Sequence, residues 1–352
     1  MQPLNFKSFY LRSLLTSALA LAAFSPWAAQ AQQLNIVCSM NPEWCRNAAA
    51  IYERTYSDKG DIKVNVINKP TGESYAQILA EKERPRVDIW FGGTADPHMQ
   101  AAEQGLLMAY QSPQLGMLHA WAQNTAKASG NKTVGLYAEV LGIGYNTELL
   151  AKKKLPVPAC WKDLAKGVYK NEVQMANAQS SGTSYVAIAT FVQILGEEPA
   201  FRFMTEMHKN ISAYSRQGLG PIKAVAKGES ALSVSFLHNA IQEAEQGYPV
   251  KYVTPCEGTG YSVGGMSIVN GAPHLAEAKK FYEWALSPTG QKVAATSRSY
   301  QFPSHRNTPV PDGAPSLKGV KLIDYDQAKY GASAERRRLI ARWDKEVFNA
   351  GK

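Results

Sequence analysis

Ala178-Gln179-Ser180-Ser181-Gly182-Thr183-Ser184-Tyr185 lies between a short apolar run that ends at Ala176 and a longer one that extends to Leu195. The first run is typical of a strand and the second of a helix, so four hydroxyl side chains fall at the start of that helix. The first backbone N–H groups of a helix lack internal partners and carry the positive end of its dipole. Because Gly182 lets a ligand approach the backbone, the segment predicts a phosphate or phosphonate site; an ordinary N-cap is the alternative interpretation.

The same order of strand, polar turn and helix recurs along the chain. Strands are predicted over 34–38, 63–67 and 87–91, an extended segment over 134–146, and further strands over 173–176, 231–236 and 250–253. Small or hydroxyl residues follow them, among them Ser39, Thr71-Gly72-Glu73 and Gly92-Gly93-Thr94. This alternation predicts an α/β fold with a largely parallel sheet, in which ligands bind at the carboxyl ends of the strands.

The N-terminus predicts export. Residues 1–31 contain Lys7 and Arg12 and no acid, then an apolar run, and they end in the small-x-small pattern Ala29-Gln30-Ala31. We interpret this segment as a signal peptide that is cleaved after Ala31, with an uncleaved anchor as the alternative. The remaining chain is long for one domain and sufficient for two α/β lobes whose polar strand ends face each other across a cleft.

Charge and composition favour a globular protein that captures small anions. The formal net charge is +9, and removing Lys7 and Arg12 with the signal peptide leaves +7. The basic clusters 152–154 and 336–338 are interpreted as solvated helix faces, so no nucleic-acid partner is predicted. A modest positive potential still favours anions.

The four cysteines of an exported chain predict two disulfides, for which three pairings are possible. A strand that ends at Cys38 and a helix that starts near Pro42 favour Cys38 with Cys45, which leaves Cys160 with Cys256. No Cys-x-x-Cys or histidine spacing supports a metal site, and no cofactor is predicted.

Enzymatic function is not favoured by the sequence. It contains no Gly-x-Ser-x-Gly, His-Glu-x-x-His or P-loop motif. His98, His238 and His305 have no evident paired nucleophile, so a phosphatase is only the alternative to a binding protein.

Several segments, taken in order, resemble the periplasmic solute-binding proteins of ABC importers. They fall near the group first labelled ferric-iron binders, which also contains hexose-phosphate, phosphoglycerate and 2-aminoethylphosphonate binders. The matching segments are 37–39, 80–82, 88–94, 142–147, 181–183, 228–229, 257–261, 278–284 and 287–291.

This resemblance implies a type II periplasmic binding protein fold, in which crossover strands join two lobes that close on the ligand. The N-terminal lobe is expected to comprise residues 32–141 and 262–352, with the helical C-terminus packed on it. The C-terminal lobe is expected to comprise residues 142–261. The resemblance also implies a periplasmic monomer that delivers its ligand to an inner-membrane ABC permease.

The ligand implied by the resemblance is an organophosphate. Ferric binders of this group present two adjacent tyrosines, whereas this sequence has no Tyr-Tyr pair and contains Ser299-Tyr300-Gln301-Phe302-Pro303 at the corresponding position. Hexose-phosphate binders are the leading interpretation, followed by 2-aminoethylphosphonate binders and then by ferric binders.

The residue roles follow from this chemistry. Ser180, Ser181, Gly182 and Thr183 are expected to hold phosphoryl oxygens, with Ser39, Thr71, Gly72 and Thr94 from the facing lobe. Glu73, His238 and Glu257 are expected to contact sugar hydroxyls or an ammonium group, although a cap or surface role stays open for each acid. Stacking on the ligand or core packing is open for Tyr137, Tyr185 and Tyr261.

Overall fold

The computed structural model describes residues 32–56 and 62–350. The predicted signal peptide lies outside these residues. No helix within the described ranges is long and apolar enough to cross a bilayer.

The described part of the chain contains ten strands and thirteen α-helices. The strands are β1 (Gln32–Cys38), β2 (Ile62–Asn68), β3 (Ile89–Thr94), β4 (Val134–Asn146), β5 (Val173–Ala176), β6 (Ile211–Ser215), β7 (Leu232–Phe236), β8 (Val250–Val253), β9 (Tyr261–Ile268) and β10 (Phe302–Pro303). The helices are α1 (Pro42–Tyr56), α2 (Thr71–Ala80), α3 (Ala95–Glu103), α4 (Ala120–Ala128), α5 (Thr147–Lys153), α6 (Gly182–Leu195), α7 (Glu197–His208), α8 (Gly220–Ala226), α9 (Leu237–Glu245), α10 (Leu275–Leu286), α11 (Pro288–Thr296), α12 (Gln327–Gly331) and α13 (Ser333–Trp343).

The long strand β4 belongs to both halves of the molecule. Its first part pairs with β9, and its last residues pair with β7 and β8. We call the part built on β1, β2, β3, β9 and the start of β4 the first lobe. The part built on the end of β4 and on β5 to β8 is the second lobe. The fold is therefore the two-lobed α/β fold that the sequence predicts, with the crossover strands that the family resemblance implies.

The expectation of a largely parallel sheet is wrong. Parallel pairs occur within each lobe, where β1 pairs with β2 and β3, and β5 with β6 and β7. Every pair that involves β4 or β9 is antiparallel. A chain that crosses to the second lobe and returns beside its outward path must run in the opposite direction, which makes the sheet mixed.

Each lobe has its own apolar core. In the first lobe, Trp44 and Tyr52 of α1 pack with Phe91, Phe281 and Trp284. In the second lobe, α6 is apolar around most of its circumference and is buried from Gly182 to Val192, as expected of a helix enclosed by its neighbours.

The C-terminal helices divide between the two lobes. Side chains of α10 and α11 join the first core, whereas Leu339, Trp343 and Val347 join the second. The expectation that the whole helical C-terminus packs on the first lobe is therefore wrong for α13. This helix also reaches back to the first lobe, because Arg336 Nε lies 2.6 Å from Asp96 Oδ2. The exact lobe boundaries stay a prediction.

Both predicted disulfides are present. Cys38 is bonded to Cys45 at the start of α1, and Cys160 is bonded to Cys256 across 96 residues of sequence. The second bond joins the loop after β8 to a 3-10 helix, Trp161–Ala165, in the second lobe. Each disulfide therefore holds a segment within one lobe.

Candidate functional site

The predicted polar strand ends meet at a cavity between the two lobes, which we call the main cavity. Its free volume is about 80 Å³. Its walls are formed by Ser39, Met40, Asn41, Asn68, Lys69, Pro70, Thr71, Gly93, Thr94, Tyr137, Glu139, Ser181, Gly182, Thr183, Gln217, Gly218, Leu219, Phe236, His238, Asn239 and Gln301.

Five helices of at least nine residues begin at these walls. They are α1, α2 and α3 in the first lobe and α6 and α9 in the second. Each helix N-terminus has backbone N–H groups without internal partners and a partial positive charge. Together with Lys69, their convergence makes the cavity a favourable environment for a multiply charged anion.

The start of α6 lies in close contact with Thr94 of the first lobe. Ser181 is the N-cap residue, and Gly182 is the first helical residue. A Cβ atom on Gly182 would lie 2.0 Å from Thr94 Oγ1, so only glycine allows this approach. The glycine that the sequence analysis singles out at position 182 is therefore required by the close approach of Thr94 from the opposite lobe.

Several polar atoms at the cavity are buried without a hydrogen-bond partner among the described residues. Among them are Asn41 Nδ2, Ser181 Oγ and Gln301 Oε1. A buried polar atom without a partner is costly, and ligand sites are one place where such atoms are kept. These three side chains therefore indicate a polar ligand.

Glu139 and His238 form a neutral pair at the wall. Both are 5% exposed, and His238 Nε2 lies 3.8 Å from Glu139 Oε2. Burial raises the pKa of Glu139 well above its usual range and lowers the pKa of His238 to about 3. Burial disfavours the charged form of both groups, and an uncharged pair offers a donor and an acceptor to groups such as ligand hydroxyls.

Some cavity side chains are already held by neighbouring groups. Ser39 Oγ lies 2.8 Å from Ser74 Oγ and accepts a hydrogen bond from Trp90 Nε1 at 3.1 Å. Tyr137 Oη accepts a hydrogen bond from the Gly93 N–H at 3.0 Å. These contacts fix the shape of the first-lobe wall.

Seven of the predicted ligand residues line the main cavity: Ser39, Thr71, Thr94, Ser181, Gly182, Thr183 and His238. Three others lie at its rim and connect the lobes. The Gly72 N–H donates to the Ser180 carbonyl at 3.0 Å, and Ser180 Oγ donates to the Arg216 carbonyl at 2.8 Å. Glu73 accepts from the Arg216 guanidinium at 2.7 Å.

Glu257 lies outside the lining of the main cavity. Its carboxylate accepts hydrogen bonds from the backbone N–H groups of Trp161 at 2.8 Å and Lys162 at 3.1 Å. It therefore caps the 3-10 helix beside the second disulfide. The sulfur atoms of Cys160 and Cys256 lie close to it but are bonded to each other.

Of the three tyrosines considered for stacking, only Tyr137 lines the main cavity. The Tyr185 hydroxyl donates to the Tyr330 carbonyl at 2.5 Å within the second core. Tyr261 packs beside Tyr325, with ring centroids 6.1 Å apart. Core packing is therefore the role that the structure gives to Tyr185 and Tyr261.

Sequence reasoning did not select Glu139, Asn239, Gln301 or the loop 217–219. One signal was available for Glu139, because it is the only charged residue in the apolar stretch from Val134 to Asn146. Gln301 is brought to the cavity by the pairing of β10 with β4. That long-range contact leaves no local pattern in the sequence.

Comparisons with known proteins agree with this architecture. A family model of bacterial extracellular solute-binding proteins matches residues 87–330. The chain is 41% identical over 317 residues to an uncharacterised protein of Haemophilus influenzae, with 90% of each sequence covered. It is 24% identical over 338 residues to a putative 2-aminoethylphosphonate-binding periplasmic protein of Salmonella typhi, covering 86% of this chain and 94% of that protein.

The fold of this chain also matches a solved structure. The periplasmic binding protein AfuA from Actinobacillus pleuropneumoniae, with exogenous fructose-6-phosphate bound, is 43% identical and gives a TM-score of 0.87. The match covers 90% of this chain and 99% of AfuA. By sequence and by fold, the chain belongs to the family of bacterial extracellular solute-binding proteins.

Proposed function

We propose that this protein captures a small phosphorylated organic anion in the main cavity and delivers it to an inner-membrane ABC permease, with a hexose phosphate as the favoured ligand. The observation that carries the proposal is the convergence of five helix N-termini on one cavity between the lobes. The similarity to AfuA, whose structure contains fructose-6-phosphate, supports the same ligand class. Export to the periplasm, cleavage after Ala31 and action as a monomer belong to the same proposal.

The phosphoryl group is assigned to the start of α6. Ser181, Gly182 and Thr183 line the cavity at the start of this helix. The first N–H groups of the helix and the two hydroxyls can donate hydrogen bonds to the phosphoryl group without adding a formal charge. The neutral pair Glu139 and His238 is assigned to ligand hydroxyls, because it combines one donor and one acceptor. Neither assignment uses Glu257.

A 2-aminoethylphosphonate binder is the second candidate. The relative from Salmonella typhi supports it. The carboxyl group of Glu139 lines the cavity, but burial disfavours its charged form and makes it a weaker partner for an ammonium group than for a hydroxyl. A ferric binder is the third candidate. It is disfavoured because the main cavity is lined by a single tyrosine, Tyr137, and because burial raises the pKa of its phenol well above the usual range.

Binding calorimetry distinguishes these candidates. We expect fructose 6-phosphate or glucose 6-phosphate to bind more tightly than 2-aminoethylphosphonate, inorganic phosphate and free glucose. Titration with ferric citrate should give no phenolate-to-iron absorption band. Failure of every phosphoryl compound to bind below millimolar concentration would overturn the proposal. Release of phosphate from a bound ester would support an enzyme instead.

A further inference from the structure

Gln301 enters the main cavity on the segment that precedes β10. This strand pairs antiparallel with β4, where Phe302 lies opposite Ala138. The register, continued by one residue, places Gln301 opposite Glu139. Residues that lie opposite each other in an antiparallel pair project from the same face of the sheet, so these two side chains are neighbours at the cavity wall that both of them line.

Glu139 lies where the two lobes join. The strand β10 pairs with the residues just before Glu139, and β7 pairs with those that follow it from Leu141. The helix α9 begins directly after β7, and its His238 Nε2 lies 3.8 Å from Glu139 Oε2, which is longer than a hydrogen bond. Glu139 is therefore flanked by Gln301 on one segment and by His238 on another.

The Gln301 side chain is buried, but its amide is not satisfied. Gln301 is 5% exposed, and Oε1 has no hydrogen-bond partner among the described residues. An unpartnered buried amide is costly, and a ligand that supplies the missing partner removes this cost. An amide, a protonated carboxyl group and a neutral imidazole each offer both a donor and an acceptor, so a hydroxyl is a suitable partner for all three side chains.

The same three side chains are poor partners for a charged group. The amide of Gln301 is neutral, and burial disfavours the charged forms of its neighbours, because it raises the pKa of Glu139 and lowers the pKa of His238. A ligand carboxylate or ammonium group would leave water here without an opposite charge from these side chains. A hydroxyl loses far less on leaving water and finds a donor and an acceptor.

We infer that Gln301 is a specificity-determining residue of the main cavity, which binds a hydroxyl of the ligand beside the Glu139 carboxyl group. This inference rests on the proposed function and narrows its ligand class to phosphates whose remaining polar groups are uncharged hydroxyls. Sugar phosphates and polyol phosphates have this chemistry. Phosphates that also carry a carboxylate, and 2-aminoethylphosphonate with its ammonium group, do not.

A cycle that combines one substitution with deoxy sugars tests the contact. Gln301→Met keeps the length of the side chain and removes its amide. Calorimetry at pH 7.5 would compare glucose 6-phosphate with its 1-, 2-, 3- and 4-deoxy analogues in the parent and in the variant. We expect Gln301→Met to bind glucose 6-phosphate about tenfold more weakly than the parent does. The analogue that lacks the hydroxyl bound by Gln301 should lose less than about twofold on the same substitution. Equal losses for glucose 6-phosphate and all four analogues would overturn the inference, as would an unchanged affinity for glucose 6-phosphate.

Stability without ligand separates recognition from a structural role. Gln301→Met should have the parental midpoint of urea unfolding or a higher one, because it replaces an unsatisfied buried amide by an apolar group. A lower midpoint would make Gln301 a structural residue and overturn the inference. The control is Gln111→Met at an exposed position, which should change neither affinity nor stability.

A charged ligand tests the narrower ligand class. The parent should bind 6-phosphogluconate, which carries a carboxylate, at least about tenfold more weakly than glucose 6-phosphate. Equal affinity for the two would overturn the selection of uncharged groups. If neither glucose 6-phosphate nor inorganic phosphate binds to the parent at all, the proposed function itself fails.

Discussion

Two turns of the second lobe look alike in the sequence but serve different purposes in the structure. The cavity turn, residues 177–181, follows β5, and the disulfide turn, residues 254–260, follows β8. Both are rich in small and polar residues. The cavity turn leads into α6, whose first residues line the main cavity, whereas the disulfide turn leads directly into the strand β9.

The difference shows what makes a polar turn a binding site. At the cavity turn, the backbone of the following helix supplies unpaired donors, so the side chains add to an existing site. No helix follows the disulfide turn. The Glu257 carboxylate instead accepts hydrogen bonds from the N–H groups at another helix start, that of Trp161–Ala165. A polar turn is therefore a candidate ligand site when it starts a helix that faces the cleft.

The largest expected effect is at the cavity turn itself. Gly182→Asp places a carboxylate where the phosphoryl group is proposed to bind, and its Cβ atom would lie 2.0 Å from Thr94 Oγ1. We expect affinity for glucose 6-phosphate to fall by more than about a hundredfold. Gly116→Asp is the control, because a Cβ atom there has no heavy atom within 4 Å. Parental affinity in Gly182→Asp would show that α6 does not bind the phosphate.

Single substitutions in the two turns should affect different quantities, affinity at the cavity turn and stability at the disulfide turn. Thr183→Ala removes one hydroxyl from the proposed phosphate site, and a hydrogen bond to a charged group contributes roughly 1.5–3 kcal/mol. Affinity should therefore fall by about ten- to a hundredfold with little change in stability. Glu257→Gln should do the reverse, lowering stability by about 1–2 kcal/mol while leaving affinity unchanged.

Calorimetry and urea unfolding of the same two variants measure both quantities. A loss of affinity in Glu257→Gln, without a loss of stability, would indicate that Glu257 contacts the ligand. Unchanged affinity in Thr183→Ala would assign its hydroxyl a structural role only.

The sequence predicts the helix starts well because they are local. Seven proposed ligand residues that line the main cavity lie at or next to a strand end or helix start, where a few neighbouring residues determine the conformation. Glu139 and Gln301 are different, since they enter the cavity through the pairing of β4 with β9 and β10. The position of Glu257 outside the cavity lining has the same cause, because its partner segment lies about a hundred residues earlier in the chain and is joined to it by a disulfide.

His238, at the start of α9, should make the stability of the protein depend on pH. Because burial lowers the pKa of His238 to about 3, the unfolded chain takes up its proton first as the pH falls below about 6.5. The stability that the neutral imidazole contributes is present above pH 6.5 and is lost as the pH falls towards 3, at up to about 1.4 kcal/mol per pH unit.

His238→Gln should flatten this part of the stability curve, measured by urea unfolding at pH 7, 6, 5 and 4. His98 has the same lowered pKa but bonds to Ser267 and to the Gly92 carbonyl, so His98→Gln should also flatten the curve. Only His238→Gln should weaken binding of glucose 6-phosphate at pH 7, since His98 does not line the main cavity. Equal losses of affinity in the two variants would remove His238 from the proposed site.

The smallest expected effect concerns the rim beside the cavity turn, where Arg216 of the second lobe binds Glu73 of α2 in the first. Two guanidinium–carboxylate contacts measure 2.7 Å, but the Arg216 side chain is 78% exposed. Exposed ion pairs contribute about 0.2–1 kcal/mol and are screened by salt. Because this pair forms only when the lobes meet, Glu73→Gln should weaken ligand binding about two- to fivefold through faster dissociation, with the association rate unchanged.

Stopped-flow measurements at 20 mM and 500 mM salt should show that the difference in dissociation rate between Glu73→Gln and the parent shrinks at high salt. Glu206→Gln, which removes an exposed ion pair within one helix, serves as the control. A loss of affinity that does not depend on salt, or that comes only from slower association, would contradict this role of the ion pair. It would mean that Glu73 contacts the ligand, as the sequence predicts, and that the Arg216–Glu73 pair does not hold the lobes together.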